Sequence, residues 1–282
     1  MTTTLSAADV KKLRDMTGAG MMDCKKALEE AGGDFDKAVE VLRKQGQKLS
    51  LKRADREAKE GAVIAMTSHN RNNGVLVRLS CETDFVAKNE DFVNFAKSIT
   101  EIALKHVPEN VEALLNLPYT EGLTIGEKIT EQVGVIGEKV EVSHYSKIET
   151  AAGQGQVLAY IHMGNRAGVI VALNLEGPEY IEAGKNVAMQ IAAMRPVAVD
   201  KDGVSTELIE KEIEIGKEQA RQEGKPEAML EKIAQGKLTK FYQESTLLNQ
   251  AYVKDGKMTV AQYLQSLHKD LTVTAFKHVE LG

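Results

Sequence analysis

Apolar positions change their period several times along this chain, and the changes mark its parts. Val10, Leu13 and Met16 or Thr17 share a helical face behind Ser6-Ala-Ala-Asp9, which has capping-box spacing. Gly18-Ala19-Gly20 stops that helix. Met21, Cys24, Leu28 and Ala31 then repeat at helical spacing up to Gly32-Gly33. Asp34 is placed to cap a third helix carrying Phe35, Ala38, Val39 and Leu42. Three helices in so short a stretch share only a small core. Neighbouring Met21 and Met22 cannot both face inward, so one is expected at the surface. Arg43, Lys44, Lys48, Lys52, Arg53, Arg56 and Lys59, against Asp55 and Glu57, then read as a basic linker with a boundary near 59–61.

From there the pattern turns to strands. Apolar runs at 62–66 and 75–79 flank a polar segment ending in Asn73-Gly74, a hairpin-turn signal. A corner, Cys81-Glu82-Thr83-Asp84-Phe85-Val86-Ala87-Lys88-Asn89, leads into a helix near 90–106 with Phe92, Phe95, Ala96, Ile99, Ile102 and Ala103 inward. A looser helical stretch holds Val111, Leu114, Leu115, Ile125 and Ile129. The pattern then returns. Residues 139–143 alternate as a half-buried strand, 157–161 and 169–173 are joined by the turn that starts at His162, and a helix follows near 179–194. Gly168-Val169-Ile170-Val171 echoes Gly74-Val75-Leu76-Val77, as expected of a duplicated strand-turn-strand-helix module. Antiparallel hairpins with helices on one face indicate an α+β fold rather than a doubly wound α/β one.

Arg195-Pro196 ends the second module's helix. A charged helix from Ser205 carries only a thin stripe of Leu208, Ile209, Ile213 and Ala220. Gly224-Lys225-Pro226 turns the chain, with Pro226 placed to open a return helix bearing Met229, Leu230, Ile233, Ala234, Leu238 and Phe241. Such a stripe is too narrow to hold a protruding hairpin by itself. Val260, Tyr263, Leu264 and Leu267 mark a short helix. Residues 271–281 alternate as a last strand that should join the second sheet.

Composition narrows the function. A chain of 282 residues holds two or three compact units, and a net charge of −5 argues against nucleic acid as the main partner. The basic linker then reads as a solvated helix or tether. No apolar run approaches the roughly 18 residues needed to span a bilayer, and the N-terminus has neither a basic region nor an apolar leader. Two cysteines, Cys24 and Cys81, build no disulfide framework, so a reducing cytoplasm is expected.

Little in the sequence points to chemistry. Gly134 and Gly137 lack phosphate-loop spacing, and Gly153-Gln-Gly155 is followed by Leu158 where a dinucleotide fingerprint requires glycine. The histidines have no metal-ligand spacing and no Cys-x-x-Cys occurs, so neither a cofactor nor a metal is expected. Cys81 beside Glu82 and Asp84 is disfavoured as a nucleophile, because acidic neighbours raise a thiol pKa. Glu82 and Asp84 fare little better as a metal pair, since alternation in an extended strand is also routine surface polarity. The balance favours an interaction protein over an enzyme. Phe85 itself has two readings: packed beneath its helix while Asp84 helps cap it, or presented outward as a wedge. Phe92, Phe95, Ile99 and Ile102 already furnish the inner face of that helix, which leaves Phe85 free for the second.

Thr17-Gly18-Ala19-Gly20-Met21-Met22-Asp23-Cys24-Lys25-Lys26-Ala27-Leu28 and Thr83-Asp84-Phe85-Val86-Ala87 resemble the two signatures of the elongation factor Ts family. The likeness continues through Ile191-Ala192-Ala193-Met194-Arg195-Pro196 and the Gly224-Lys225-Pro226 turn. It implies a three-helix module similar to ubiquitin-associated domains over 1–57. Two related core subdomains are then expected at 58–138 and 139–202, a helical hairpin at 203–242, and a C-terminal part at 243–282 completing the second subdomain. It also implies a guanine-nucleotide exchange factor, acting by binding rather than by chemistry, whose partner is the GTPase elongation factor Tu. Thr83, Asp84, Phe85 and Val86 would then enter the partner near its magnesium site. Arg14, Met21 and Met22 would touch the same GTPase domain, and Ile136, Gly137 and His162 would supply further contacts, with Met163 as the alternative in the last turn. Some members self-associate through the hairpin, which raises a homodimer as one state. The competing reading is a protein-binding adaptor that uses the three-helix module and has no exchange activity.

Overall fold

The computed structural model describes residues 5–282. Residues 1–4, most of the stretch read above as lacking a leader, lie outside the described residues. The elements run, in order, α1 (Ala7–Thr17), α2 (Met21–Glu30), α3 (Phe35–Arg53), β1 (Glu60–Thr67), β2 (Asn73–Cys81), α4 (Asp84–Ala87), α5 (Glu90–His106) and α6 (Val111–Leu115). Next come β3 (Pro118–Thr120), β4 (Leu123–Thr124), α7 (Ile125–Ile136), β5 (Val140–Glu149), β6 (Gln156–His162), β7 (Ala167–Leu173) and α8 (Ile181–Met194). The chain closes with α9 (Thr206–Gln222), α10 (Leu230–Ser245), β8 (Ala251–Tyr252), β9 (Asp255–Thr259), α11 (Val260–Leu267) and β10 (Val273–Glu280). This is the expected α+β architecture. It divides into two compact units, Met1–Ile64 with Val77–Tyr145 and Glu280–Gly282, and Ala65–Leu76 with Ser146–Val279.

In the first unit, Ser6 and Asp9 form the predicted capping box and Gly18 closes α1 in the left-handed conformation. Val10, Leu13, Ala19, Cys24, Ala27, Leu28 and Ala38 make the small core of the helical module. Thr17 is half-buried while Met16 is exposed, which settles that pair. Met21 and Met22 are both exposed, rather than one of them.

The larger correction concerns the linker. Residues 43–53 continue α3, because this basic stretch carries a buried contact at Gly46 that charge counting hides. A Cβ on Gly46 would lie 2.9 Å from the Thr130 carbonyl oxygen, and one on Gly134 3.0 Å from the Gly46 Cα. The absence of side chains at these two glycines lets α3 and α7 cross backbone to backbone. Arg43 Nε donates to Glu131 at 2.7 Å beside the crossing. Gly46→Val is therefore expected to destabilise the first unit by about 1–3 kcal/mol, the usual cost of overpacking. A lowered urea midpoint by circular dichroism is the check.

The looser stretch after α5 resolves into α6, a small β3–β4 hairpin and α7, which starts at a Thr124–Glu127 capping box. Asn73-Gly74 opens β2 instead of forming the turn. The connection is residues 68–72, with Ser68 Oγ accepting from Asn73 N at 3.0 Å and Arg71 at φ 57°. Gly74 is small for packing: a Cβ there would sit 2.5 Å from Val157 Cγ1. Ile102 on α5 is half-buried, whereas Phe92, Phe95, Ala96, Ile99 and Ala103 are buried as expected.

The sheets show the duplication. One has the order β1-β2-β5 and the other β10-β7-β6, so each is a hairpin with a third strand added beside its second strand. β6 and β7 pair antiparallel from Gln156↔Leu173 to His162↔Ala167, and the last strand joins the second sheet as predicted. Val169, Val171 and Leu173 of β7 pack with Val187, Ala188 and Ile191 of α8 and with Leu264 of α11. α9 and α10 form the hairpin, with Gly216 tight against Ala234 and Lys217 paired to Glu231 at 2.6 Å. Pro226 does not open α10. It caps a single 3-10 turn at Glu227–Met229 that precedes the helix.

Candidate functional site

The corner after β2 is built from the backbone outward. Thr83 is extended (φ −121°, ψ 153°) and its Oγ accepts from Val86 N, starting the four-residue helix α4. So short a helix does not hold its shape alone. Thr83 N and Oγ both donate to the Glu138 carboxylate, at 3.0 and 2.7 Å. Glu82, one residue earlier, accepts from Lys139 N at 2.7 Å and from Arg53 Nη1 at 2.6 Å. Burial raises the Glu82 pKa, but the Lys139 amide and the Arg53 guanidinium outweigh it and hold the carboxyl below its ordinary value.

Phe85 sits on α4 with 84% of its surface exposed, the largest exposure of any large apolar side chain among the described residues. The packing reading is thereby overturned. The Asp84 carboxylate accepts from Lys88 Nζ at 2.6 Å, which keeps its pKa below the usual carboxylate range. This pair is exposed, so its net worth is small and it can open readily. A cavity of about 300 Å³ beside the corner is lined by Gly18, Val86, Asn89, Asp91, Phe92, Gln132, Val135 and Ile136. The structure thus groups Val86 with Ile136 and with the turn that closes α1. Gly137, next to Ile136, ends α7 at φ 80°.

The other expected positions divide by unit. Arg14, Met21 and Met22 are exposed on α1 and α2 of the first unit. His162 ends β6 in the second unit, half-buried, and its Nδ1 shares a hydrogen bond with the Tyr160 hydroxyl at 2.8 Å. Met163 follows it at 72% exposure, on a turn where Met163, Gly164 and Asn165 all have positive φ. The sequence reading missed Glu138 and Lys139, since neither has a local motif. Their position directly after Ile136-Gly137 was the only available signal.

A nucleophilic Cys81 finds little support here. Cys81 is fully buried and donates from Sγ to the Thr83 carbonyl at 3.2 Å. Burial, reinforced by the Glu138 charge, pushes its thiol up to about 12. Alkylation of Cys81 at neutral pH is accordingly expected only after unfolding, as mass-spectrometric labelling with iodoacetamide would show. Because the folded pKa lies above the ordinary 9, Cys81 contributes stability that is intact below pH 9 and is lost as pH rises towards 12. A Cys81→Ala variant should lose less stability over that window in denaturation measured at each pH. Among the described residues, no cluster of three or more His, Cys, Asp or Glu could hold a metal ion, and no helix is long and apolar enough to cross a membrane.

Comparison with known proteins narrows the class and then the family. Residues 82–282 match the family model described as elongation factor TS. Elongation factor Ts of Cytophaga hutchinsonii is 52% identical over 280 residues, covering 99% of each chain. Those of Christiangramia forsetii and Amoebophilus asiaticus are each 51% identical, again over 99% of both chains. The fold and its relatives define a translation elongation factor. More narrowly, the chain belongs to the elongation factor Ts family.

Proposed function

We propose that this chain accelerates the release of GDP from elongation factor Tu, and hence its exchange for GTP, by inserting Asp84 and Phe85 near the partner's magnesium and nucleotide site. The observation that carries the reading is a phenylalanine almost fully in water on a corner whose backbone is tied down on both sides. GDP in such GTPases is held by phosphate-loop donors and by magnesium bridging its phosphates to the protein. An exchange factor needs no reaction of its own. It binds the nucleotide-free GTPase better than the loaded one, and reciprocity weakens nucleotide binding by the same factor.

Full desolvation of one ring provides about 1.5–3 kcal/mol, a factor of tens to hundreds. Further coupling comes from a grip at several points. Arg14, Met21 and Met22 on one side, Ile136 and Gly137 beside the corner, and the turn at His162 and Met163 are the surfaces assigned to it. Exposed thioethers suit such adaptable contacts. Stopped-flow release of a fluorescent GDP from elongation factor Tu, with and without the chain, tests the reading directly. Binding without acceleration would leave the adaptor in its place.

A further inference from the structure

We propose that Glu138 is the positioning residue for the Phe85 corner, with Glu82 and Arg53 completing a two-way carboxylate clasp. Two adjacent pairs face each other: Glu82-Thr83 at the end of β2 and Glu138-Lys139 between α7 and β5. Each pair gives a carboxylate to the other's backbone, Glu138 to Thr83 N at 3.0 Å and Glu82 to Lys139 N at 2.7 Å. The segment after α3 joins them, since Lys139 Nζ donates to the Ala54 and Arg56 carbonyls at 3.0 and 3.1 Å. Charged acceptors on backbone amides are among the stronger hydrogen bonds in proteins.

The clasp also sets a rotor. A threonine hydroxyl has one proton and two lone pairs. Thr83 Oγ spends its proton on Glu138 at 2.7 Å, so a lone pair is left facing Val86 N, the free donor at the start of α4. Glu138 thereby makes Thr83 a helix cap. Phe85 has almost no packing of its own, so the backbone of α4 is what aims its ring.

This inference rests on Phe85 acting as the wedge, and the test separates the two. The measured quantity is GDP release from elongation factor Tu for Glu138→Ala, Phe85→Ala and the double variant. Glu138→Ala should slow release about tenfold, whereas the same substitution in the Phe85→Ala background should add less than twofold, the non-additivity expected of groups acting through one another. Glu138→Gln should recover only part of the rate, because its amide oxygen can accept from Thr83 N while its NH2 no longer takes the proton of Thr83 Oγ. The chain has no tryptophan, so Phe85→Trp reports the corner alone, and its fluorescence anisotropy should fall when Glu138→Ala is added. Equal slowing by Glu138→Ala in both backgrounds, or unchanged anisotropy, overturns the positioning role. Unchanged release in Phe85→Ala alone overturns the wedge instead.

Discussion

Phe85→Ala is expected to cut the acceleration of GDP release from elongation factor Tu about ten- to a hundredfold while leaving the fold intact. The factor follows from the ~1.5–3 kcal/mol that a fully desolvated ring supplies and that alanine cannot. Stability should change by no more than about 0.5 kcal/mol, the usual range for surface substitutions, because the ring is 84% exposed in the free chain. Phe85→Leu should fall between the two, since it keeps apolar bulk but not the flat ring. Stopped-flow release under saturating chain, with a parallel thermal melt, separates a lost wedge from a lost fold. A folded Phe85→Ala variant that releases GDP at the parent rate would remove the ring from the mechanism.

Much of the architecture was legible because it rests on local period. The capping box at Ser6, the face of α5, the β6–β7 hairpin and the closing strand all carry patterns within a few residues. Two of the failures have a common cause. α3 looked like a linker past Arg43 because its second buried contact runs through Gly46, which carries no hydrophobic signal. Asn73-Gly74 looked like a turn because the dipeptide favours one, yet a tight contact with Val157 explains the same glycine. In both cases a glycine serves packing across the fold, which no window along the chain reveals.

The site was legible in its residues and not in its geometry. The Asp84-Phe85 pair was visible, whereas its exposure depended on how α5 fills its own inner face. The duplication sharpens this. Pro178–Tyr180 occupies, in the second module, the place that α4 holds in the first, at the same offset that relates Gly168 to Gly74. There the aromatic, Tyr180, packs against the core and edge-on to His268 at 6.3 Å. That offset sets the half-buried Tyr180 opposite Val86 and the exposed Glu179 opposite Phe85, so the second copy has no ring at the wedge position. Only the first copy has the exposed ring that a partner could use.

Gly61→Ala should be the most damaging single substitution for the first unit, and it acts by the opposite route to Phe85→Ala. Gly61 lies at φ 151°, and a Cβ there would fall on the Leu79 carbonyl oxygen and 2.8 Å from Ser80 Cα. These are backbone atoms of β2, so no side chain can turn aside and the strands must part. Strain at such a φ costs about 1–3 kcal/mol by itself, and lost strand pairing brings the expected total to roughly 3 kcal/mol or more, exceptional for one residue. Gly155 repeats the arrangement in the second unit, at φ 130° and against the Leu173 carbonyl. Gly155→Ala should therefore be similarly destabilising, as urea midpoints of the two variants would show. Exchange by Gly61→Ala should fall only in proportion to the folded fraction, because Gly61 aims nothing at the partner. If instead exchange collapsed while the melt stayed put, the end of β2 would be setting the corner's geometry through the sheet rather than through the clasp at Glu138.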